Sequence, residues 1–136
     1  MNLKTRWPDE CLQEEIYKLL LAEQQTPVYD SVPRDAALPY GALEEIEIDK
    51  GGDKTAAIYD VSQKIVFYSE YAGKTELNTI VNTVSGILSC VYIDLSAHRF
   101  KIISWDVNHK LAGHVEDYGY QQELTFTAKI QDLGGV

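Results

Sequence analysis

The stretch that decides the fold is residues 74–91, KTELNTIVNTVSGILSCV. Leu77, Ile80, Val81, Val84, Ile87, Leu88 and Val91 recur at steps of three and four. At 3.6 residues per turn these side chains line one stripe over four turns, which predicts a helix. Such a stripe must be covered by another layer, so this segment cannot fold by itself. Gly86 falls off the stripe and costs about 1 kcal/mol relative to Ala.

The segments on either side supply the other layer. In residues 57–70, Tyr59, Val61, Ile65 and Phe67 alternate with Asp60, Ser62 and Lys64, the two-residue period of a strand with one buried face. A strand of that length is expected to bend or carry a bulge. In residues 120–130, Tyr120, Leu124, Phe126, Ala128 and Ile130 face in while Glu123, Thr125, Thr127 and Lys129 face out. Residues 100–107 are apolar on both faces, Phe100 and Ile102 against Ile103, Trp105 and Val107, which points to a central strand or a bulge. Residues 109–119, with Gly113 and Gly119, read as a polar connection.

Toward the start, residues 8–24 predict a first helix. Pro8 suits a first turn, where its missing N–H has no partner to lose, and Asp9 and Glu10 follow near the positive end of the helix dipole. Leu12, Ile16, Leu19 and Leu20 make its apolar stripe. Pro27 stops it, a short extended piece covers residues 28–32, and residues 33–39, bounded by Pro33 and Pro39, form a surface loop. A strand over residues 40–48, with Tyr40, Ala42, Ile46 and Ile48 on one face, leads into a polar Gly-bearing hairpin loop at residues 49–54. The order is helix, short strand, two strands, helix, two strands. The expected fold is α+β: a two-layer sandwich with an antiparallel sheet of about four strands and two helices on one face. No repeat or linker divides the chain, so residues 1–136 are expected to form one domain.

Of 136 residues, 45% are hydrophobic and 24% charged, the balance of a soluble globular protein. No apolar run approaches the ~20 residues that cross a bilayer, and no apolar segment follows Lys4 and Arg6, so neither membrane association nor a signal peptide is expected. The formal charge of −9 disfavours specific nucleic-acid binding; surplus carboxylates serve solubility, or a surface past which DNA slides. Cys11 and Cys90 make no disulfide framework. Both fall in predicted helices, where buried, reduced thiols and an intracellular setting are expected.

The search for chemistry gives no candidate. Gly73-Lys74-Thr75 sits between a strand and a helix, but a phosphate-binding loop also needs Gly five positions before Gly73, where Tyr68 stands. His109 and His114 share one segment with Asp106, Glu116 and Asp117 at no spacing typical of a zinc site. Apolar helical surroundings disfavour a thiolate at Cys11 and Cys90, and no G-x-S-x-G occurs. Glu44, Glu45 and Glu47 read as a charged strand edge that resists unwanted pairing. No catalytic, cofactor-binding or metal-binding residue is assigned. The nine tyrosines exceed what a core needs, and serve either strand ends or a protein interface.

The order and spacing of several short pieces carry a resemblance. Ile16-Tyr17-Lys18-Leu19-Leu20 is followed by Val28-Tyr29-Asp30-Ser31-Val32-Pro33 and by Ala36-Ala37-Leu38-Pro39-Tyr40. Val66-Phe67-Tyr68-Ser69 then leads through Gly73 into Glu76-Leu77-Asn78-Thr79-Ile80-Val81. Over about residues 10–130 the chain resembles the tail-completion, or tail-terminator, proteins of long-tailed bacteriophages and prophages. The resemblance implies a non-enzymatic assembly protein without cofactors. It implies self-association into a ring, usually six-fold, on the head-proximal end of the tail tube, contacts with tube and head-connector proteins, and a free form that can be monomeric. It implies assembly in the bacterial cytoplasm and residence in the tail or neck of the virion. Candidate contact loops are Pro33, Arg34, Asp35 and Pro39; Lys50, Gly51, Gly52 and Asp53; and His109, Lys110 and His114, chosen as polar segments without a core role. Alternatives are a connector-side joining protein and, in a different class, a small-ligand or peptide-binding module.

Overall fold

The computed structural model describes residues 6–52, 57–70, 74–115 and 119–134. Helix α1 spans Asp9–Glu23, strand β1 Val28–Tyr29, β2 Tyr40–Gly52 and β3 Ala57–Ser69. Helix α2 follows at Lys74–Cys90, a single 3-10 turn at Ser96–His98, then β4 at Phe100–Val115 and β5 at Gly119–Asp132. The strands form one sheet in the order β1-β2-β3-β5-β4. All pairings are antiparallel except β1 with β2, which is parallel. The fold is therefore α+β as expected, with five strands rather than four because the two-residue β1 joins at the edge.

Both helices lay their stripes on one face. Leu12, Ile16 and Leu20 of α1 and Leu77, Val84 and Leu88 of α2 are fully buried, against Tyr59, Ile65, Phe67 and Leu124 of the sheet. Each such aliphatic side chain contributes on the order of 1.5–3 kcal/mol. Pro8 opens α1, its carbonyl accepting from the Leu12 N–H at 3.0 Å. Gln24 closes it by turning extended, with its side-chain Nε2 donating to the Leu20 and Thr26 carbonyls. Helix α2 ends at Cys90, so Val91 leaves the stripe and stands exposed.

Bulges explain most departures from simple alternation. Between β2 and β3, Leu43 pairs with Ile65 and Ile46 with Gln63, so Glu44 and Glu45 together oppose Lys64. The extra residue flips the faces: Ile46 and Ile48 pack toward the helices, whereas Tyr40 and Ala42 lie on the outer face, opposite to the single-face reading. The bulge sits in β2; β3 keeps an unbroken register with β5. Gln63, fully buried, occupies it from inside, donating from Nε2 to the carbonyls of Glu44 at 3.1 Å and Lys64 at 2.8 Å, and more weakly to Glu45 at 3.4 Å.

In β4 the register slips between Ile102 and Ser104. Ile103 is thereby extruded, and Phe100, Ile102, Trp105 and Val107 can all face inward. The double-sided apolar pattern thus reflects a bulge on an edge strand, not a central strand. Trp105 secures it, donating from Nε1 to the Leu88 carbonyl at the end of α2.

Two expected loops are strand over their described residues 49–52 and 109–115. Strand β2 continues through Lys50, Gly51 and Gly52, paired with Tyr59, Ile58 and Ala57. Strand β4 continues through His109, Lys110 and His114, paired with Leu124, Glu123 and Tyr120. Edge strands tolerate such polar and Gly residues because one side of their backbone already faces water. Asp53 and Gly73 lie outside the described residues, as do Tyr71 and Tyr118.

Candidate interaction surface

Three surfaces bear polar or exposed apolar groups without a core role. The first surrounds the loop at residues 33–39, which links β1 to β2 and is a loop as expected. The Pro33 carbonyl accepts from the Ala36 N–H at 3.2 Å, and the Leu38–Pro39 peptide is cis. Arg34 and Asp35 are exposed at its tip. Tyr29, Tyr40 and Tyr68 stack at its foot, with centroids 5.8 Å and 5.3 Å apart. The Tyr68 hydroxyl donates to Glu44 at 3.2 Å, and burial, then the Glu44 charge, pushes it up to about 12. These tyrosines are half-buried, so they form a firm aromatic step rather than a core.

The second surface is the outer face of the sheet. Lys129 meets Asp60 at 3.1 Å and Lys64 meets Glu123 at 3.6 Å. Such solvent-screened pairs contribute about 0–1 kcal/mol each. A hollow of about 350 Å³ between β3, β5 and β4 is lined by Asp60, Ser62, Ser104, Asp106, Thr127 and Lys129. Val61, Trp105 and Ala128 also line it, so its walls mix polar and apolar groups.

The third surface is the pair of sheet edges. Among the described residues, β2 from Ile46 to Gly52 has β3 as its one strand neighbour, and β4 has β5. Glu45, Glu47 and Asp49 are exposed on β2, and Lys101 and Lys110 on β4. An apolar shoulder flanks β4: Val91, Tyr92 and Ile103 are exposed, and Tyr92 stacks on Trp105 at 5.6 Å while donating to the Ile102 carbonyl. Trp7, 53% exposed, leans on buried Tyr59 near the far end of β2.

Of the titratable groups weighed for chemistry, His109 and Cys11 are spent on structure, while Glu116, Asp117 and the side chain of His114 lie outside the described residues. His109 Nε2 donates to Gln122 Oε1 at 2.6 Å, and Gln122 Nε2 donates to Asn78 Oδ1 at 2.5 Å, tying β4, β5 and α2 together. Among the described residues no three His, Cys, Asp or Glu side chains converge on one point. Cys11 is buried, its thiol donating to the Pro8 carbonyl; burial pushes it up to about 11, which disfavours a thiolate. Cys90, expected to be buried, is exposed because it ends α2 off the stripe. Among the described residues no helix is long and apolar enough to cross a membrane.

Sequence reasoning identified the acidic strand edge at Glu44, Glu45 and Glu47 but missed Lys101, Tyr92 and Ile103. The signal was available in the two-faced apolar pattern of residues 100–107, which required one apolar side chain to be extruded.

One family profile, described as "Tail completion protein gp17", matches residues 14–131. No curated protein matches the chain. Among solved structures, the chain is similar to one from the "Virion of native gene transfer agent (GTA) particle", with a TM-score of 0.76 and 25% identity. That alignment covers 88% of this chain and 94% of the other.

Proposed function

The chain belongs to the tail completion protein gp17 family, and from that premise we propose that this phage tail structural protein caps the head-proximal end of the tail tube and mediates head–tail joining. The observation that carries the reading is the likeness, over 88% of this chain, to a chain of a virion particle. The chain acts as one domain, without catalysis, and resides in the tail or neck of the mature particle after assembly in the bacterial cytoplasm. Its partners are the tube protein, the head connector and further copies of itself.

A cap of this kind works by geometry. Each copy must meet the next through unlike surfaces, because such head-to-tail contacts close into a ring, while self-complementary contacts stop at a dimer. Six copies match the hollow end of a tube. Pro33, Arg34, Asp35 and Pro39, held out from the sheet on a stiff loop, are suited to touch the tube or the connector. Surplus carboxylates on the lumen side let DNA pass without adhering.

The test is electron microscopy of lysates from a prophage lacking this gene. Overlong or irregular tails free of filled heads are expected. Tails of normal length that fail to join heads would assign the chain to the connector side, and normal infectious particles would refute the proposal.

A further inference from the structure

We propose that the β4 edge of one copy pairs, antiparallel, with the free β2 edge of the next copy, and that the unlike charges on the two edges select this pairing over like-edge pairing. The proposal rests on the reading of the chain as an oligomer on the tail, and names the surface that makes it.

The topology permits it. In the order β2-β3-β5-β4 each strand runs opposite to its neighbour, so β4 runs opposite to β2. A second copy placed in the same orientation beyond β4 therefore presents its β2 antiparallel to that strand. The sheet continues, and the helices of both copies stay on one face. The Ile102 carbonyl already accepts from the Tyr92 hydroxyl; the other backbone N–H and C=O groups along such an edge are a ready template for this addition.

The charges make the choice. Glu47 and Asp49 project from the outer face of β2, across from Ser62 and Asp60 of β3, and Glu45 stands in the bulge beside them. Lys101 and Lys110 project from the outer face of β4, with Asp106 as the opposing charge between them. None of Glu45, Glu47, Asp49, Lys101 or Lys110 makes an ion pair among the described residues. Pairing β2 with β2 sets carboxylates against carboxylates, and pairing β4 with β4 sets lysines against lysines. Like charges directly opposite on a sheet are destabilising. Unlike edges bring lysine to carboxylate. The charges that guard each edge against its own kind thus admit the other edge. Apolar flanks support the joint on the helical face: Tyr92 and Trp105 beside β4, half-buried Ile46 and Ile48 beside β2.

The test uses the full chain at millimolar concentration, as an equal mixture of isotopically heavy and light copies, joined by a zero-length amine–carboxylate coupling reagent. Mass spectrometry should find mixed-isotope links from Lys101 or Lys110 to Glu45, Glu47 or Asp49. Two variants follow, K101E/K110E and E47K/D49K, each checked for wild-type melting. Each alone should self-associate at least about tenfold more weakly in sedimentation velocity, because like charges now face each other. Mixed together they should regain association, since every joint between them is again unlike, and a chain carrying all four reversals should regain it alone. Absence of the mixed-isotope links, wild-type association of either variant alone, or no recovery in the mixture would each overturn the proposal. Normal particles from the deletion strain would sink the tail-cap reading and leave the links intact. Missing links with overlong tails would sink this contact alone.

Discussion

Replacing Gly41 with Ala should be among the most damaging single changes in the sheet. A Cβ built there lies 2.5 Å from Cε1, 2.8 Å from Cδ1 and 3.1 Å from Cζ of Phe67, the residue it pairs with on β3. Carbon atoms at rest approach to about 3.5–4.0 Å, so the ring must retreat by roughly 1 Å. Phe67 has no solvent-exposed surface and lies in the packed core, so it has no free space to enter. Overpacking of this kind costs about 1–3 kcal/mol, and the rigid ring places this site toward the upper end. At the ~4 °C per kcal/mol typical of a domain this size, the melting temperature should fall by about 10 °C. The assay is thermal and urea unfolding of wild type, G41A, F67L and G41A/F67L. F67L alone should be destabilised through lost packing, but it also vacates the space that the added methyl needs. The double variant should therefore lose clearly less than the sum of the two singles, a coupling of about 1 kcal/mol. A neutral G41A, or strict additivity in the cycle, would refute the reasoning.

Three further outcomes follow from the same packing and electrostatics. Gln63→Leu strips the amide donors from the bulge and leaves the carbonyls of Glu44 and Lys64 without them, so it should cost about 2 kcal/mol, less any relief from removing the buried, unpaired Oε1; urea unfolding checks it. Burial pushes the Asp132 carboxyl up, but hydrogen bonds from Arg6 and the Gly134 N–H, with the Arg6 and Arg99 charges, outweigh it and hold the group below its usual value. A depressed carboxylate stabilises the fold above its unfolded value and loses that contribution as pH falls through the folded one. The melting difference between wild type and D132N should accordingly shrink below about pH 4, and a constant difference across acid titration would contradict it. A thiol–disulfide exchange reagent at neutral pH should label Cys90 at once and Cys11 only after unfolding, so native C90S should show no prompt reaction.

Much of the architecture is written in local pattern. The stripes of α1 and α2, the alternation of β5 and the stop at Pro27 follow from side-chain spacing and backbone sterics within a few residues. That both helices must cover one sheet follows from their apolar faces alone. The candidate surface was less legible. Pro33, Arg34, Asp35 and Pro39 stand in a loop because proline fixes φ locally, whatever lies around it. Lys50, Gly51, Gly52, His109, Lys110 and His114 have turn-like composition yet extend β2 and β4, because a neighbouring strand satisfied their backbone on one side.

Local spacing was enough for both helices and the middles of the long strands, for the side chains apolar enough to bury, and for the surplus of acid over base, but not for the strand ends at residues 50–52 and 109–114. The tertiary structure alone decided that β3 and β5 are central, that Glu44 and Glu45 share a bulge filled by Gln63, and that Ile103 is extruded. It alone placed the carboxylates of β2 and the lysines of β4 on opposite ends of one sheet. Spacing along a chain fixes the direction of a side chain only while the two-residue period is unbroken. Where a bulge breaks it, or where two strands far apart in sequence become neighbours, the outcome depends on cross-strand hydrogen bonds and packing between residues that no local pattern connects.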